Sequence, residues 1–484
     1  VKQKIKNMVV SAALVIAGSV AGAAQDDGLA EKFAQVVGRY GDYQVFQGAV
    51  LVAKDGEVLY AAGTGLANRE WGAPNDPTVK YKIASLTKGF TAALILKLVE
   101  EGKLSLTDTI LDHFPDYKGD QADIITIDLM LRHMAGMQHT TGLPGWFTGH
   151  FRRDISDTDF IKEIEKLPLL SEPGERYGYS NLDYFLLGKM AELVTGETYA
   201  EALKSRIFSP LNMTDTGVDT ADALLAKRAS GYVWAAGGGY RNQGWSNMDV
   251  FGGGAALYST AEDLLKWQQG LMAGKILSAD SMALMFAADS PIGWRVQPLT
   301  LPNGKAVSTT NYDGQIDGFS SMLTHFTDSN LTVVLLGNIG TDFQAKRQLT
   351  LDLAAVFLAG FEQRKLPLSY HLTKALSQGQ LAEGIEGFWG SKGSFAADER
   401  RIESFADQIG WAQMPARSLM VRELSVKLFP ASARALAVLG NTQSRMGDKD
   451  AAAASYQKAI VVAKKAEQPD MLAYIKGQLA GLGQ

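Results

Sequence analysis

Apolar residues recur along this chain with two periods, and the order in which those periods alternate sets the expected architecture. Residues 46–53 and 57–63 are β-rich runs separated by Lys54-Asp55-Gly56. Asp-Gly between such runs signals a tight hairpin, since both central positions of the turn need positive φ. From Ser85 the period lengthens to that of a helix, with Phe90, Leu94, Ile95 and Leu98 on one stripe and Gly102 as its left-handed stop. Helical periods follow over 125–134, 154–167, 182–195, 199–207 and 261–272, with Thr126, Ser156 or Asp157 as caps and Gly196 as a stop. Strand character returns at 307–310, 319–326 and 331–336, and a closing helix covers 343–358. Strands at both ends and helices between them predict an α+β fold: an antiparallel sheet flanked by helices, with an inserted all-helical half.

The carboxy-terminal stretch differs in kind. Residues 366–400 read as a connector and 401–484 as a small all-α domain, with a break at Phe429-Pro430. Leu436, Leu439, Gly440, Gly447, Asp448, Ala452, Tyr456 and Ala459 fall at offsets that resemble a tetratricopeptide repeat, and 405–429 resembles a worn preceding unit. One or two such repeats cannot bury their apolar faces alone, so they are expected to pack on the body of the protein or on another subunit, the latter giving a protein partner or self-association through this tail; an ordinary helical hairpin is the alternative reading.

Composition narrows the function. A net charge of −5 over 484 residues, with no basic run, argues against nucleic acid as a partner. The absence of cysteine removes disulfides, a thiol nucleophile and thiolate metal sites. Lys2, Lys4 and Lys6, an apolar stretch over 8–20 and Ala21-Gly22-Ala23 read as a cleaved signal peptide over 1–24, which implies a periplasmic or secreted protein. The apolar stretch is shorter than the ~20 residues that span a bilayer, so no stable membrane anchor is expected. A hydrolase domain would then occupy 25–365.

The candidate chemistry begins at Ser85-Leu86-Thr87-Lys88. Positions i and i+3 share a helix face, so an amine one turn along can take the serine's proton, provided burial lowers its pKa. Spacing alone is a weak signal, because Ser455 and Lys458 repeat it. Tyr179-Ser180-Asn181 and Tyr312-Asp313-Gly314 follow in order, with chance copies at Tyr240-Arg241-Asn242 and Lys54-Asp55-Gly56. With these motifs and the stretches 81–88, 96–106, 125–137, 172–188, 205–217, 252–267 and 314–323, residues 44–359 resemble the serine β-lactamase and penicillin-binding-protein superfamily. The branch is that of class C β-lactamases, D-alanyl peptidases and family VIII carboxylesterases.

That resemblance implies an acyl-enzyme at Ser85, with Lys88 holding or relaying the proton and Tyr179 acting as base and then acid. It implies Asn181 as a hydrogen-bond partner of Lys88 or substrate, an oxyanion hole from the N–H groups of Ser85 and Gln315, and room for substrate at Gly314. It implies no metal or cofactor, and a small ester, peptide or β-lactam-like substrate. Tyr312 departs from the lysine or histidine common at its position. A neutral phenol supplies no cation for a β-lactam carboxylate, which shifts the expectation toward esters and peptide-type amides. The alternative is a catalytically retired binding or scaffold protein working through its tail. The histidines (His113, His133, His139, His150, His325 and His371) fall in no metal-ligand pattern, and His133 reads as a core residue. No G-x-S-x-G elbow is present. The glycine runs at 237–239 and 252–254 lack a phosphate-loop lysine and read as close-packing turns.

Overall fold

The computed structural model describes residues 27–483 except 147–148, 221–222, 342, 361–363 and 391–392, so the expected signal peptide lies outside the described residues. Two units emerge. Among the described residues, one comprises 27–39, 46–231 and 243–360; the other comprises 40–45, 232–242 and 364–483.

The first unit is built on a six-stranded antiparallel sheet. After helix α1 (Asp27–Asp42), strands β1 (Gly48–Lys54) and β2 (Glu57–Thr64) form the expected hairpin. Its turn has φ +50° at Asp55 and +87° at Gly56, the left-handed pair that the Asp-Gly dipeptide tolerates. Helix α2 (Thr87–Glu100), helix α3 (Asn181–Thr195) and helix α4 (Ala261–Met272) lie in the intervening half. Strands β3 (Arg295–Thr300), β4 (Ala306–Ile316), β5 (Phe319–Phe326) and β6 (Leu331–Gly337) then complete the sheet in the order β3-β4-β5-β6-β1-β2. Helix α5 (Phe343–Leu358) closes the unit. This is the α+β arrangement that the alternation of periods predicts.

The central strands read as unbroken apolar runs because both faces of the sheet are covered. Ala49, Leu51, Ala53, Val334 and Leu336 join a core with Phe90 and Leu94 of α2 and with Leu264 and Trp267 of α4. Phe90 stacks on Trp267 with ring centroids 4.3 Å apart. On β5, Met322 meets α5, whose Thr350 hydroxyl donates to its sulfur at 3.5 Å. Strand β3 was not expected from the sequence, and Pro298 lies within it. As an edge strand it tolerates a residue without an N–H.

Helix α5 also places Lys346, with no exposed surface, against the back of β4. Its Nζ donates to Asp313 Oδ2 at 3.0 Å, Gly314 O at 2.9 Å and Ser321 O at 3.2 Å. Burial works to raise the Asp313 carboxyl, but Lys346 and Arg295 outweigh it and hold the group below the ordinary carboxylate range.

In the second unit, residues 366–400, read as a connector, carry α6 (Leu368–Ser377) and α7 (Leu381–Gly390). Their Leu368, Leu372, Leu376 and Phe388 share a core with Phe405 of α8 (Glu399–Trp411) and Val421 of α9 (Pro415–Leu428). Arg422 of α9 is buried between Glu403 and Asp407 of α8. Helices α10 (Ala433–Arg445), α11 (Lys449–Lys465) and α12 (Pro469–Gly481) follow. At the α10–α11 crossing a Cβ on Gly440 would lie 2.6 Å from the Tyr456 ring, so this approach requires glycine. Among the described residues no helix is long and apolar enough to cross a membrane.

Replacing Lys346 with Met should lower the free energy of unfolding of the first unit by about 3–5 kcal/mol, because Asp313 stays buried with half its charge compensation gone. Urea unfolding of the variant measures this. A loss below about 1 kcal/mol would show that the buried pair does not hold β4 in place.

Candidate active site

Ser85 lies in a single 3-10 turn, Ala84–Leu86, that feeds α2. The preceding Ala84 has φ +48°, a left-handed conformation unfavourable for a residue with a Cβ. The turn is held from the sheet side, where Ser321 Oγ of β5 donates to Ile83 O at 2.7 Å. In the buried run from Ile83 to Phe90, Ser85 alone keeps partial exposure. Its hydroxyl faces the Tyr179 hydroxyl at 2.8 Å.

One turn on, Lys88 is fully buried. Its Nζ donates to Asn181 Oδ1 at 2.6 Å and Gly254 O at 2.9 Å, and lies 4.7 Å from the centre of the Tyr179 ring. Burial lowers its pKa to about 7, with Asp183 acting in the opposite direction. Tyr179 moves the other way: burial raises its phenol above the ordinary value, and the Ser85 hydrogen bond only partly offsets this. Near neutrality the free base of this group is therefore the amine of Lys88.

The second motif is presented by the start of α3. Ser180 caps the helix, its Oγ accepting from Leu182 N at 3.0 Å and Asp183 N at 3.3 Å while donating to Gln138 O at 2.7 Å. That cap sets Asn181 at the first helical position, with its amide against Lys88. Behind it, His133, at φ +56°, accepts from Ser180 N–H at 3.2 Å and lies 3.4 Å from Asp183 Oδ2. Its ring packs 4.6 Å from that of Tyr179. Burial pushes the His133 pKa well below its usual value and the Asp183 pKa well above its own, with Lys88 pulling the Asp183 carboxyl back down.

The third motif runs along β4. A Cβ on Gly314 would lie 2.3 Å from Ile83 O and 2.8 Å from Ser85 N, so only glycine lets the strand pass this close to the nucleophile's turn. Gln315, next along, is exposed. Tyr312 is 6% exposed, and the Arg295 guanidinium of β3 lies 4.8 Å from the centre of its ring. Arg295 also donates to Asp313 Oδ1 at 2.7 Å.

All seven sequence-expected residues thus lie on the three segments that meet here: Ser85 and Lys88, then Tyr179 and Asn181, then Tyr312, Gly314 and Gln315. Sequence reasoning missed four others. Gly254, read as a packing glycine, supplies a carbonyl to Lys88. Arg295 supplies a cation beside Tyr312, Lys346 supports the strand from behind, and His139 touches Asn181 at 3.1 Å. Two of these left a signal: Gly254 lies within the matching stretch 252–267, and His139 is a polar residue two positions beyond the matching stretch 125–137.

Residues 30–357 match the family model described as Beta-lactamase. The putative penicillin-binding protein PbpX of Bacillus subtilis is 28% identical over 295 residues, spanning 60% of this chain and 70% of that protein. The chain spans 60% of the length of protein flp of Staphylococcus aureus. Among solved structures, the penicillin binding protein from Bacillus halodurans aligns with a TM-score of 0.57 and 25% identity, over 66% of this chain and 99% of its own. The D-amino acid amidase from Ochrobactrum anthropi shares the fold, with a TM-score of 0.57 and 22% identity over 67% of this chain and 98% of its own.

With Lys88 as the base, the rate at which a fluorophosphonate labels Ser85 should rise with pH through about 7, as the amine loses its proton. Lys88→Met should abolish that limb together with most of the labelling. A limb that survives in the variant would assign the proton to another group.

Proposed function

Because the chain belongs to the β-lactamase family, we propose that it is a serine acyl hydrolase that cleaves small esters or peptide-type amides through an acyl-enzyme on Ser85. The observation that carries this reading is the 2.8 Å contact between the Ser85 and Tyr179 hydroxyls beside a buried Lys88 whose pKa is about 7. In the acylation step Ser85 Oγ attacks the acyl carbon and its proton is drawn off toward the Tyr179–Lys88 pair. The same pair returns a proton to the departing alcohol or amine. Water then repeats the sequence on the acyl-enzyme. The backbone N–H groups of Ser85 and Gln315 are the proposed donors to the oxyanion; loss of one such donor in a comparable hydrolase costs about 2.7–4 kcal/mol.

The amide part of the substrate class is supported by the fold shared with a D-amino acid amidase, and the acyl chemistry by the motif order. A retired scaffold acting through its tail has less behind it, since Ser85 is hydrogen-bonded to Tyr179 and Lys88 to Asn181, the contacts that the hydrolase reading requires. Export remains part of the proposal on the strength of the amino-terminal charge and apolar pattern.

The substrate panel that tests this comprises p-nitrophenyl esters, D-amino-acid amides and nitrocefin. We expect ester or amide turnover that Ser85→Ala removes, and slow nitrocefin turnover. Hydrolysis at the wild-type rate in Ser85→Ala would end the assignment.

Arg295 modifies the specificity argument made from Tyr312. Lys346, Asp313 and Arg295 together carry one surplus positive charge, and the most exposed member is Arg295. The phenol at position 312 is thus neutral but backed by a cation. Arg295→Ala should lower kcat/KM for carboxylate-bearing nitrocefin about 10- to 100-fold relative to neutral p-nitrophenyl butyrate, as expected for one lost hydrogen bond to a charged group. An unchanged ratio would show that Arg295 serves only to brace Asp313.

A further inference from the structure

The hydrogen bonds around Asn181 do not agree in polarity as they stand. Lys88 Nζ donates to Asn181 Oδ1, so the amide nitrogen points the other way, to His139 Nε2 at 3.1 Å and Thr140 Oγ1 at 3.4 Å. His139 is pinned at its other ring nitrogen. The backbone N–H of Thr141 donates to Nδ1 at 3.2 Å, capping the short turn Thr140–Gly142. A neutral imidazole has one N–H and one lone pair. With the Nδ1 lone pair taken, the proton sits on Nε2 and meets the Asn181 amide nitrogen, donor against donor.

Two rearrangements relieve this opposition. The imidazole can shift its proton to Nδ1 and donate to Thr141 Oγ1 at 3.1 Å, which forfeits the Thr141 N–H bond. Alternatively the Asn181 amide can turn end for end, giving Oδ1 to His139 and the amide nitrogen to Lys88. An ammonium has no lone pair to accept that donor, whereas a free amine has one. The second route therefore favours Lys88 without its extra proton.

We propose that His139 is a positioning residue of this hydrolase, which acts through Asn181 to disfavour the ammonium form of Lys88 and so keep the base available. The assignment rests on the reading of Ser85 and Lys88 given above. The groups around the imidazole are Lys88 and Asn181, the Tyr179 ring stacked at 5.7 Å, and His133. Burial, reinforced by Lys88, lowers the His139 pKa to about 4, so the ring is neutral wherever Lys88 titrates. The device needs no charge on the histidine, only a fixed tautomer.

The test compares the pH dependence of fluorophosphonate labelling at Ser85 in the wild type, His139→Leu and His139→Gln. Without the opposing N–H, Asn181 Oδ1 holds the ammonium unhindered and the acid limb moves to higher pH. Glutamine should move it further than leucine, because its carbonyl oxygen accepts from the amide nitrogen and fixes the ammonium-favouring orientation. Below the wild-type midpoint, labelling should fall about threefold or more, which corresponds to about half a unit of pKa. Slower labelling with an unmoved midpoint, or a midpoint moved to lower pH, would overturn the assignment and leave His139 as packing for Tyr179. An unlabelled wild-type Ser85 would overturn the enzymatic reading as well. In the wild type, imidazole ¹⁵N shifts should place the His139 proton on Nε2; a proton on Nδ1 contradicts the proposal whatever the variants do.

Discussion

An amine sealed from water is the constraint on which this site depends. Lys88 has no exposed surface, and a buried ammonium or amine without acceptors would cost several kcal/mol. Its acceptors are the Asn181 side chain, 93 residues along, and the Gly254 carbonyl, 166 residues along. Satisfying one nitrogen therefore ties the start of α3 and the glycine-rich turn to the start of α2. The nucleophile rides on the same turn as the lysine, so its placement follows from the demand to satisfy that nitrogen. The pKa of about 7 is the chemical return of the same burial.

A second buried amine performs the matching task from the sheet. Lys346 gathers the Asp313 carboxylate and the carbonyls of Gly314 and Ser321, which fixes β4 where it passes the Ser85 turn. Asp313 passes the charge outward to Arg295 on β3. The two buried lysines thus divide the work: one supplies a proton acceptor at ordinary pH, and the other holds a strand beside the Ser85 turn and, through an intervening carboxylate, is linked to the partly exposed Arg295 guanidinium.

What could be read from the chain alone was whatever short-range chemistry determines. The Asp55-Gly56 turn, the Gly102 and Gly196 stops, the Thr126 and Ser156 caps and the helices Ala261–Met272 and Phe343–Leu358 are local events, and the structure has them where the pattern places them. Strand Arg295–Thr300 escaped, and Pro298 within it argues against a strand until its position at a sheet edge is known. Lys346 went unremarked, since nothing in its neighbours along the chain marks it as buried. The glycines at 252–254 were read as close packing, which holds for Gly253 against Tyr184 O, but not for the carbonyl of Gly254. Tyr312 argued for an uncharged third motif because the compensating Arg295 sits 17 residues upstream, in the strand that was not expected.

The sheet order carries a consequence for synthesis. Strand β1 lies between β2 and β6, with Leu51 opposite Val334. A ribosome delivers the β1–β2 hairpin early, and its central neighbour only after the whole helical half has emerged. During that interval one apolar edge stands open, of the kind that pairs with other chains. Strand β1 holds Ala49 to Ala53 fully buried in the finished molecule and has no charged residue before Lys54. The nascent chain thus depends on shielding of this edge until β6 arrives, and the last strand of the sheet determines when the first becomes safe.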